Sequence, residues 1–229
     1  MSFTTACMYL SLSGVHCSSK MTVWWLALIL LCYILNYVDS TPSHVPWNKY
    51  NSSFRLTKST RTRVQQLLNR YKEQHLGNKN FEDRNRQLKD LPLLSTDFDS
   101  WLKLEDWERL HAAFWDMQAY WNMLEWKRKQ LEREGKEQRV ARTTLPQSIK
   151  HVQLDLRDLM SQVSSQMSYM KSSWVKPTSP TVRTALNPEP TSKTVWDSRV
   201  DGYIILRDLD LYLTKLARDF LLLASKTRL

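Results

Sequence analysis

Glycine is scarce in this chain of 229 residues, which contains only four glycines and eight prolines. Many tight turns require glycine at positive φ, so a β-sandwich or β-barrel would be hard to build from this composition. The glycine-rich phosphate-binding motifs G-x-G-x-x-G and G-x-x-x-x-G-K-[ST] are also absent. The composition therefore disfavours an all-β fold and a nucleotide-binding site.

Cysteine is confined to the N-terminal 32 residues, at Cys7, Cys17 and Cys32. The rest of the chain lacks the residues for a disulfide, a thiol nucleophile or a thiolate metal site. The motifs H-E-x-x-H and G-x-S-x-G are missing. Di-iron bundles need the spacing E-x-x-H twice, and it occurs once, from Glu108 to His111. We therefore expect no enzyme activity, no metal site and no cofactor.

Lysine and arginine outnumber the acidic residues by 33 to 23, which gives a net charge of +10. A chain of this charge attracts phosphates, sulfated sugars, anionic lipids or acidic proteins. Its basic residues are scattered over the predicted helices instead of forming one stripe, which disfavours a nucleic-acid partner. Charge alone does not choose among the remaining partners.

A hydrophobic segment near the N-terminus, Val23–Leu35, contains no charged or amide side chain. It is shorter than the roughly 20 apolar residues of a membrane span and fits the core of a signal peptide. Lys20 supplies a positive flank, and Val38-Asp39-Ser40 resembles a cleavage site. The sequence predicts a signal peptide over residues 1–40, with Met21 as an alternative start. An uncleaved type II anchor is the competing interpretation.

Four later segments show the spacing of amphipathic helices, over residues 60–76, 102–134, 145–174 and 195–224. The last has intervals of three and four between apolar residues: Leu206, Leu209, Leu213, Leu216, Phe220 and Leu223. A strand formed by alternating Leu209, Leu211 and Leu213 is a competing but much shorter pattern. Gly77 marks a helix end, and Thr194 with Asp197 marks a helix start. Asn51, in the sequon Asn51-Ser52-Ser53, precedes the first predicted helix and is a candidate glycosylation site.

The connections between these helices are long, short and long, at about 25, ten and nineteen residues. Antiparallel neighbours need a short link, whereas parallel neighbours need a crossover as long as a helix. The last connection, residues 175–193, is rich in proline. The pattern predicts an all-α four-helix bundle with up-up-down-down topology and two long crossover loops.

Two features of the last helix are not required by a hydrophobic core. Trp196 opens the helix, where it either staples the preceding loop to the bundle or acts as an exposed interface anchor. Arg218 interrupts an apolar run and is followed by Lys226 and Arg228. Cations suit a helix C-terminus through the helix dipole, and they also suit an acidic receptor surface.

The segment Val195–Leu229, with its opening tryptophan, spaced leucines and terminal Lys-Thr-Arg-Leu, resembles the interleukin-11 family. This family consists of gp130-using, interleukin-6-type long-chain four-helix cytokines. Upstream, Leu56-Thr57-Lys58-Ser59, Leu88-Lys89-Asp90-Leu91-Pro92-Leu93-Leu94 and residues 159–170 resemble the same family.

The resemblance implies a secreted cytokine and growth factor that binds a specific receptor, the interleukin-11 α-receptor, and two copies of gp130. It implies activation of JAK kinases and STAT transcription factors. Trp196 then corresponds to site III, which contacts gp130. Arg218 corresponds to site I, which contacts the α-receptor, and Lys226 and Arg228 lie at its edge. Site II is expected on the first and third helices, where no residue matches well enough to be named.

Two alternatives remain at this point. The chain is another gp130-type cytokine, or it is a secreted protein whose amphipathic helices bind lipid or glycosaminoglycan. Heparan sulfate is a candidate secondary partner in either case. We expect no nucleic-acid partner and no stable membrane insertion after signal cleavage.

Overall fold

The computed structural model describes residues 45–94, 97–137, 144–170 and 194–227. These residues form helices and no strand, which confirms the all-helical prediction. The helices are α1 (Trp47–His75), α2 (Phe98–Lys103), α3 (Asp106–Glu137), α4 (Leu145–Met170) and α5 (Val195–Lys226). The predicted signal peptide, the proline-rich connection 175–193 and Arg228 lie outside the described residues, as do 171–174 at the end of the third predicted helix. The chain divides into the unit Met1–Thr41 and a compact unit, Pro42–Leu229, that holds all five helices.

The first helix begins at Trp47, so the prediction that it starts at residue 60 was wrong. After Tyr50, the face that its early turns bury carries three small hydroxyl side chains, namely Ser53, Thr57 and Thr60. Each donates to a backbone carbonyl four residues earlier, at 3.2, 2.8 and 2.9 Å. These bonds satisfy the buried hydroxyls, and a search for hydrophobic periodicity does not detect them.

The second predicted helix, 102–134, is replaced by a short helix α2 and a long helix α3. Asp97 caps α2, because its carboxylate accepts the backbone N–H of Ser100 at 3.1 Å. The backbone N–H of Glu105 donates to the Glu108 carboxylate at 3.2 Å and opens α3. The carboxylates of Asp97 and Glu108 thus each satisfy a backbone N–H at the start of a helix.

The predicted last helix is confirmed and ends two residues later, at Lys226. Its six seam residues are all buried, whereas Leu211 is 52% exposed, so the competing strand pattern was wrong. Thr194 Oγ1 accepts the Asp197 backbone N–H at 3.0 Å, as the capping box predicts. The Asp197 carboxylate accepts from the Thr194 hydroxyl at 2.7 Å, instead of from the Thr194 backbone N–H as in a full capping box. Gly77, with φ of +67°, follows the end of α1 as predicted.

The long helices α1 and α3 each pack against both α4 and α5. In three of these helix pairs, the early residues of one helix contact the late residues of the other. Early α1 contacts late α4, and late α1 contacts early α5; early α3 contacts late α5. The hydrogen bonds that show this order are Ser53–Gln162, Arg63–Asp155, Arg61–Asp210, Tyr71–Arg199, Tyr212–Ala113 and Lys127–Ser198.

Candidate functional site

Trp196 lies in the first turn of α5 and is 49% exposed. The ring of Phe81 packs edge-on against it, with 6.0 Å between ring centroids. Phe81 also packs edge-on against Tyr203 at 5.0 Å, and Tyr203 is buried. Trp196 is therefore an exposed aromatic side chain that is supported from beneath by a loop residue.

The segment that follows α1 is fixed along the start of α5 by charged side chains. Arg86 places one guanidinium nitrogen 3.1 Å from Asp197 and another 3.0 Å from Asp201. Arg207 of α5 donates to the backbone carbonyl of Asp83 and, at 2.9 Å, to that of Arg86. Backbone acceptors and charged partners together hold this loop beside Trp196.

A buried lysine lies behind the first turns of α5. Lys127 of α3, 2% exposed, donates from Nζ to the Ser198 carbonyl at 2.8 Å and to Gln130 Oε1 at 3.0 Å. The backbone of α5 lies close to the side chains of Tyr71 and Lys127 because residue 202 is glycine. A Cβ there would meet Tyr71 Oη and would lie 2.5 Å from Lys127 Cε. The Tyr71 hydroxyl donates to the Arg199 carbonyl at 2.9 Å, so α1, α3 and α5 are all joined here.

Burial in this region disfavours the charged form of acidic and basic side chains alike. Burial lowers the pKa of Lys127 to about 8. Burial, and then the charges of Lys127 and Arg199, lower the pKa of His75 to about 4. Burial also raises the pKa of Asp201 in spite of Arg86 nearby. The hydrogen bonds from Lys127 and Tyr71 hold the start of α5 in place and so support Trp196.

Arg218 lies near the other end of α5, where it is exposed. The next residue, Asp219, is 2% exposed and accepts from Arg109 Nη1 at 2.7 Å. The indole N–H of Trp101 donates to the same carboxylate oxygen at 2.6 Å, and Arg109 donates to the Trp101 carbonyl at 2.6 Å. The guanidinium also lies over the Trp101 ring, 4.8 Å from its centroid. A buried ion pair thus fastens α2 to the turn that carries Arg218.

Three exposed apolar side chains on and before α2 were not predicted from the sequence. Phe98 is 65% exposed, Leu102 is 50% exposed and Leu93 is 82% exposed. The Phe98 ring lies 5.7 Å from that of Trp101, which connects it to the Asp219 network. A large apolar residue directly after a capping aspartate, as Phe98 follows Asp97, is the signal that would have indicated this surface.

The other residues singled out in the sequence have varied surroundings. Lys226 pairs with Asp106 of α3 at 2.6 Å, so its charge is engaged within the chain. Asn51 lies inside α1 and is half-buried, so the expectation that it precedes the first helix was wrong. His111 stacks on Trp107 at 4.8 Å, and its Nε2 accepts from Trp115 Nε1 at 3.0 Å.

Trp196 and Arg218 are not brought together. At 1.5 Å rise per residue they lie about 33 Å apart along α5. Within the described ranges, no group of three or more His, Cys, Asp or Glu side chains is arranged to hold a metal ion. No helix in the described part of the chain is long and apolar enough to cross a membrane.

No protein-family model matches the sequence. A search of curated proteins likewise finds no match.

Proposed function

We propose that this chain is a secreted cytokine of the interleukin-11 type, which brings an α-receptor and gp130 together. The observation that carries the proposal is the arrangement of α5. Its two ends each present an exposed residue that the sequence resemblance assigns to a receptor, at Trp196 and Arg218. A separate buried network supports each end, at Lys127 and at Asp219.

We propose up-up-down-down topology for the bundle. The opposite residue order along the α1–α4, α1–α5 and α3–α5 pairs supports it. In that topology the first two long helices point one way and the last two point the other way, so long connections join like-directed neighbours. The long connections in the sequence agree with this arrangement.

The Arg218 end has the composition of a protein-binding surface. Phe98 offers a large exposed aromatic anchor, and Arg218 adds a cation that complements an acidic receptor. The Trp101–Asp219 bond keeps these two elements in register. We assign this surface, with Lys226 at its edge, to the α-receptor.

The Trp196 end is assigned to gp130. Tryptophan is enriched among residues that dominate binding energy, and Phe81 holds this one in a defined position. Because the two surfaces lie about 33 Å apart, one molecule has room to engage two receptors at once. Signalling then results from receptor proximity, which activates JAK kinases and STAT factors without any chemistry in the cytokine itself.

Burial of the helix stripes favours this function over binding to lipid. The apolar seams of α4 and α5 are packed inside the bundle, whereas a surface-bound amphipathic helix needs an apolar face that is free for lipid. A sibling cytokine that uses gp130 with a different α-receptor is the remaining alternative.

The test measures STAT phosphorylation in cells that express gp130, with and without the interleukin-11 α-receptor. The full chain, expressed in cultured cells and purified, is compared with Trp196→Ala, Arg218→Ala and the exposed control Arg133→Ala. We expect a response that needs both receptors, is lost in the first two variants and is kept in the control. A response that is independent of the α-receptor would indicate the sibling cytokine. No response from a folded sample would refute the proposal.

A further inference from the structure

Helix α1 carries no carboxylate over its first seven turns. From Trp47 to Lys72 its charged residues are all basic: Lys49, Arg55, Lys58, Arg61, Arg63, Arg70 and Lys72. Glu73 is the first acidic residue of α1. Like charges three or four residues apart disfavour a helix, so an acid-free helix of this kind needs partners from elsewhere.

Neighbouring helices neutralise two of these cations. Arg61 pairs with Asp210 of α5 at 2.9 Å, and Arg63 pairs with Asp155 of α4 at 2.7 Å. Arg55, Lys58 and Arg70 are exposed and form no ion pair within the described residues. The Lys58 ammonium lies over the Phe54 ring, 5.5 Å from its centroid.

The unpaired cations and Arg63 lie on the same exposed side of α1. At about 100° per residue they fall within about 140° of its circumference, and Arg55 and Arg70 lie about 22 Å apart along its axis. The exposed residues between them are uncharged and polar: Ser59, Thr62, Gln66 and Asn69. We call these eight residues the basic face of α1.

We propose that the basic face of α1 binds a linear sulfated polysaccharide of the heparan type. Sulfate oxygens accept from the guanidinium groups of Arg55 and Arg70, and Lys58 adds a compact ammonium between them. The row of cations suits an extended polyanion, and the neutral hydroxyls and amides among them are further hydrogen-bonding groups for sugar.

The side chains of this face disfavour two other polyanions. None of its exposed residues is apolar, so it lacks the groups that an amphipathic helix inserts into a lipid surface. None is aromatic, so it offers no platform on which unpaired nucleic-acid bases stack. A polyanion that is recognised through charge and hydrogen bonds alone fits best.

The test compares the purified full chain with two triple variants that each remove three positive charges. One is Arg55→Gln, Lys58→Gln and Arg70→Gln in α1. The control is Lys129→Gln, Arg133→Gln and Lys136→Gln, which are exposed positions of α3. Far-ultraviolet circular dichroism and thermal midpoints confirm that both variants fold.

We expect the α1 variant to bind heparin oligosaccharide roughly tenfold more weakly, the sum of three exposed charge contacts. The α3 control should bind nearly as the unmodified chain does, while both variants elute earlier from a sulfopropyl column. An equal loss of heparin affinity in the two variants would show that net charge alone is responsible and would overturn the proposal.

Two further measurements keep the proposal falsifiable if the α1 variant does not fold. Heparin should protect Arg55 and Arg70 of the unmodified chain from an arginine-specific dicarbonyl reagent, and unprotected arginines there would overturn it. Tighter binding to phosphatidylserine vesicles or single-stranded DNA than to heparin would also overturn it. These measurements need no receptor, so they are independent of the proposed cytokine function.

Discussion

The indole N–H of Trp101 donates to Oδ1 of Asp219 over 2.6 Å and joins α2 to the turn of α5 that carries Arg218. Asp219 also accepts from Arg109 and lies 3.6 Å from the Lys215 ammonium. The buried carboxylate therefore keeps charged partners even when the indole is removed. This makes Trp101 the residue through which the attachment of α2 can be tested without leaving a buried charge unpaired.

The substitution Trp101→Phe keeps an aromatic ring and deletes the hydrogen bond to Asp219. We expect the free energy of unfolding to fall by about 1–2 kcal/mol, and affinity for the α-receptor to fall more than affinity for gp130. Urea denaturation and surface plasmon resonance measure the two effects. Trp115→Phe is the control, because it deletes an indole bond to His111 that lies within α3. Equal receptor effects in the two variants would contradict the assignment of α2.

Gly202 allows the close approach of α5 to Tyr71 and Lys127, so Gly202→Ala should cost about 1–3 kcal/mol of stability through overpacking. A Cβ added at Gly135, in α3, would meet nothing within 4 Å, and Gly135→Ala should stabilise the chain by up to about 1 kcal/mol. Chemical denaturation of both variants measures these changes. A neutral effect at Gly202 would mean that the helices separate easily at this point.

Lys127 should make stability depend on pH in the alkaline range. Its pKa is about 8 in the folded chain and 10.5 in the unfolded reference, so between these values the unfolded chain binds more protons. Stability should therefore rise by about 2 kcal/mol from pH 7 to pH 10. Lys127→Met should remove this rise, as measured by urea denaturation across that range. The same rise in the variant would show that other groups cause it.

His75 should make stability depend on pH in the acidic range. Its pKa falls from 6.5 to about 4 on folding, so the unfolded chain gains a proton first and stability falls as pH drops between these values. Asp116 acts in the opposite sense, because burial raises its pKa to about 6. Comparison with His75→Gln isolates the histidine, and we expect the unmodified chain to lose roughly 2 kcal/mol more by pH 4. Parallel pH curves for the two chains would contradict this origin.

Much of the helical core could be predicted from sequence, because its side chains repeat at helical intervals. The apolar seam from Leu206 to Phe220 is long enough to distinguish a helix from a strand in this segment, which forms α5. The early turns of α1 could not be found in this way, since Ser53 and Thr57 supply a buried face that is polar in composition. Hydroxyl groups that bond their own helix are satisfied when buried, and only the packed structure shows that they are inside.

Some surface residues could likewise be predicted from the sequence, and others could not. Trp196 and Arg218 were identified from their local context and resemblance, and the structure shows both exposed. Phe98 was missed because its exposure depends on how α2 packs, and Arg86 because its partners lie more than 100 residues away. Only part of the basic face of α1 could be predicted from the sequence, because Arg55 and Lys58 lie before residue 60, the predicted start of the first helix.

Sequential binding on a sensor surface tests the central claim most directly. The α-receptor is immobilised, the purified chain is captured on it, and gp130 is then added. Trp196→Ala should be captured normally and then fail to recruit gp130, whereas Arg218→Ala should be captured poorly from the start. If both variants are captured and recruit gp130 as the unmodified chain does, the two ends of α5 are not the receptor-binding surfaces.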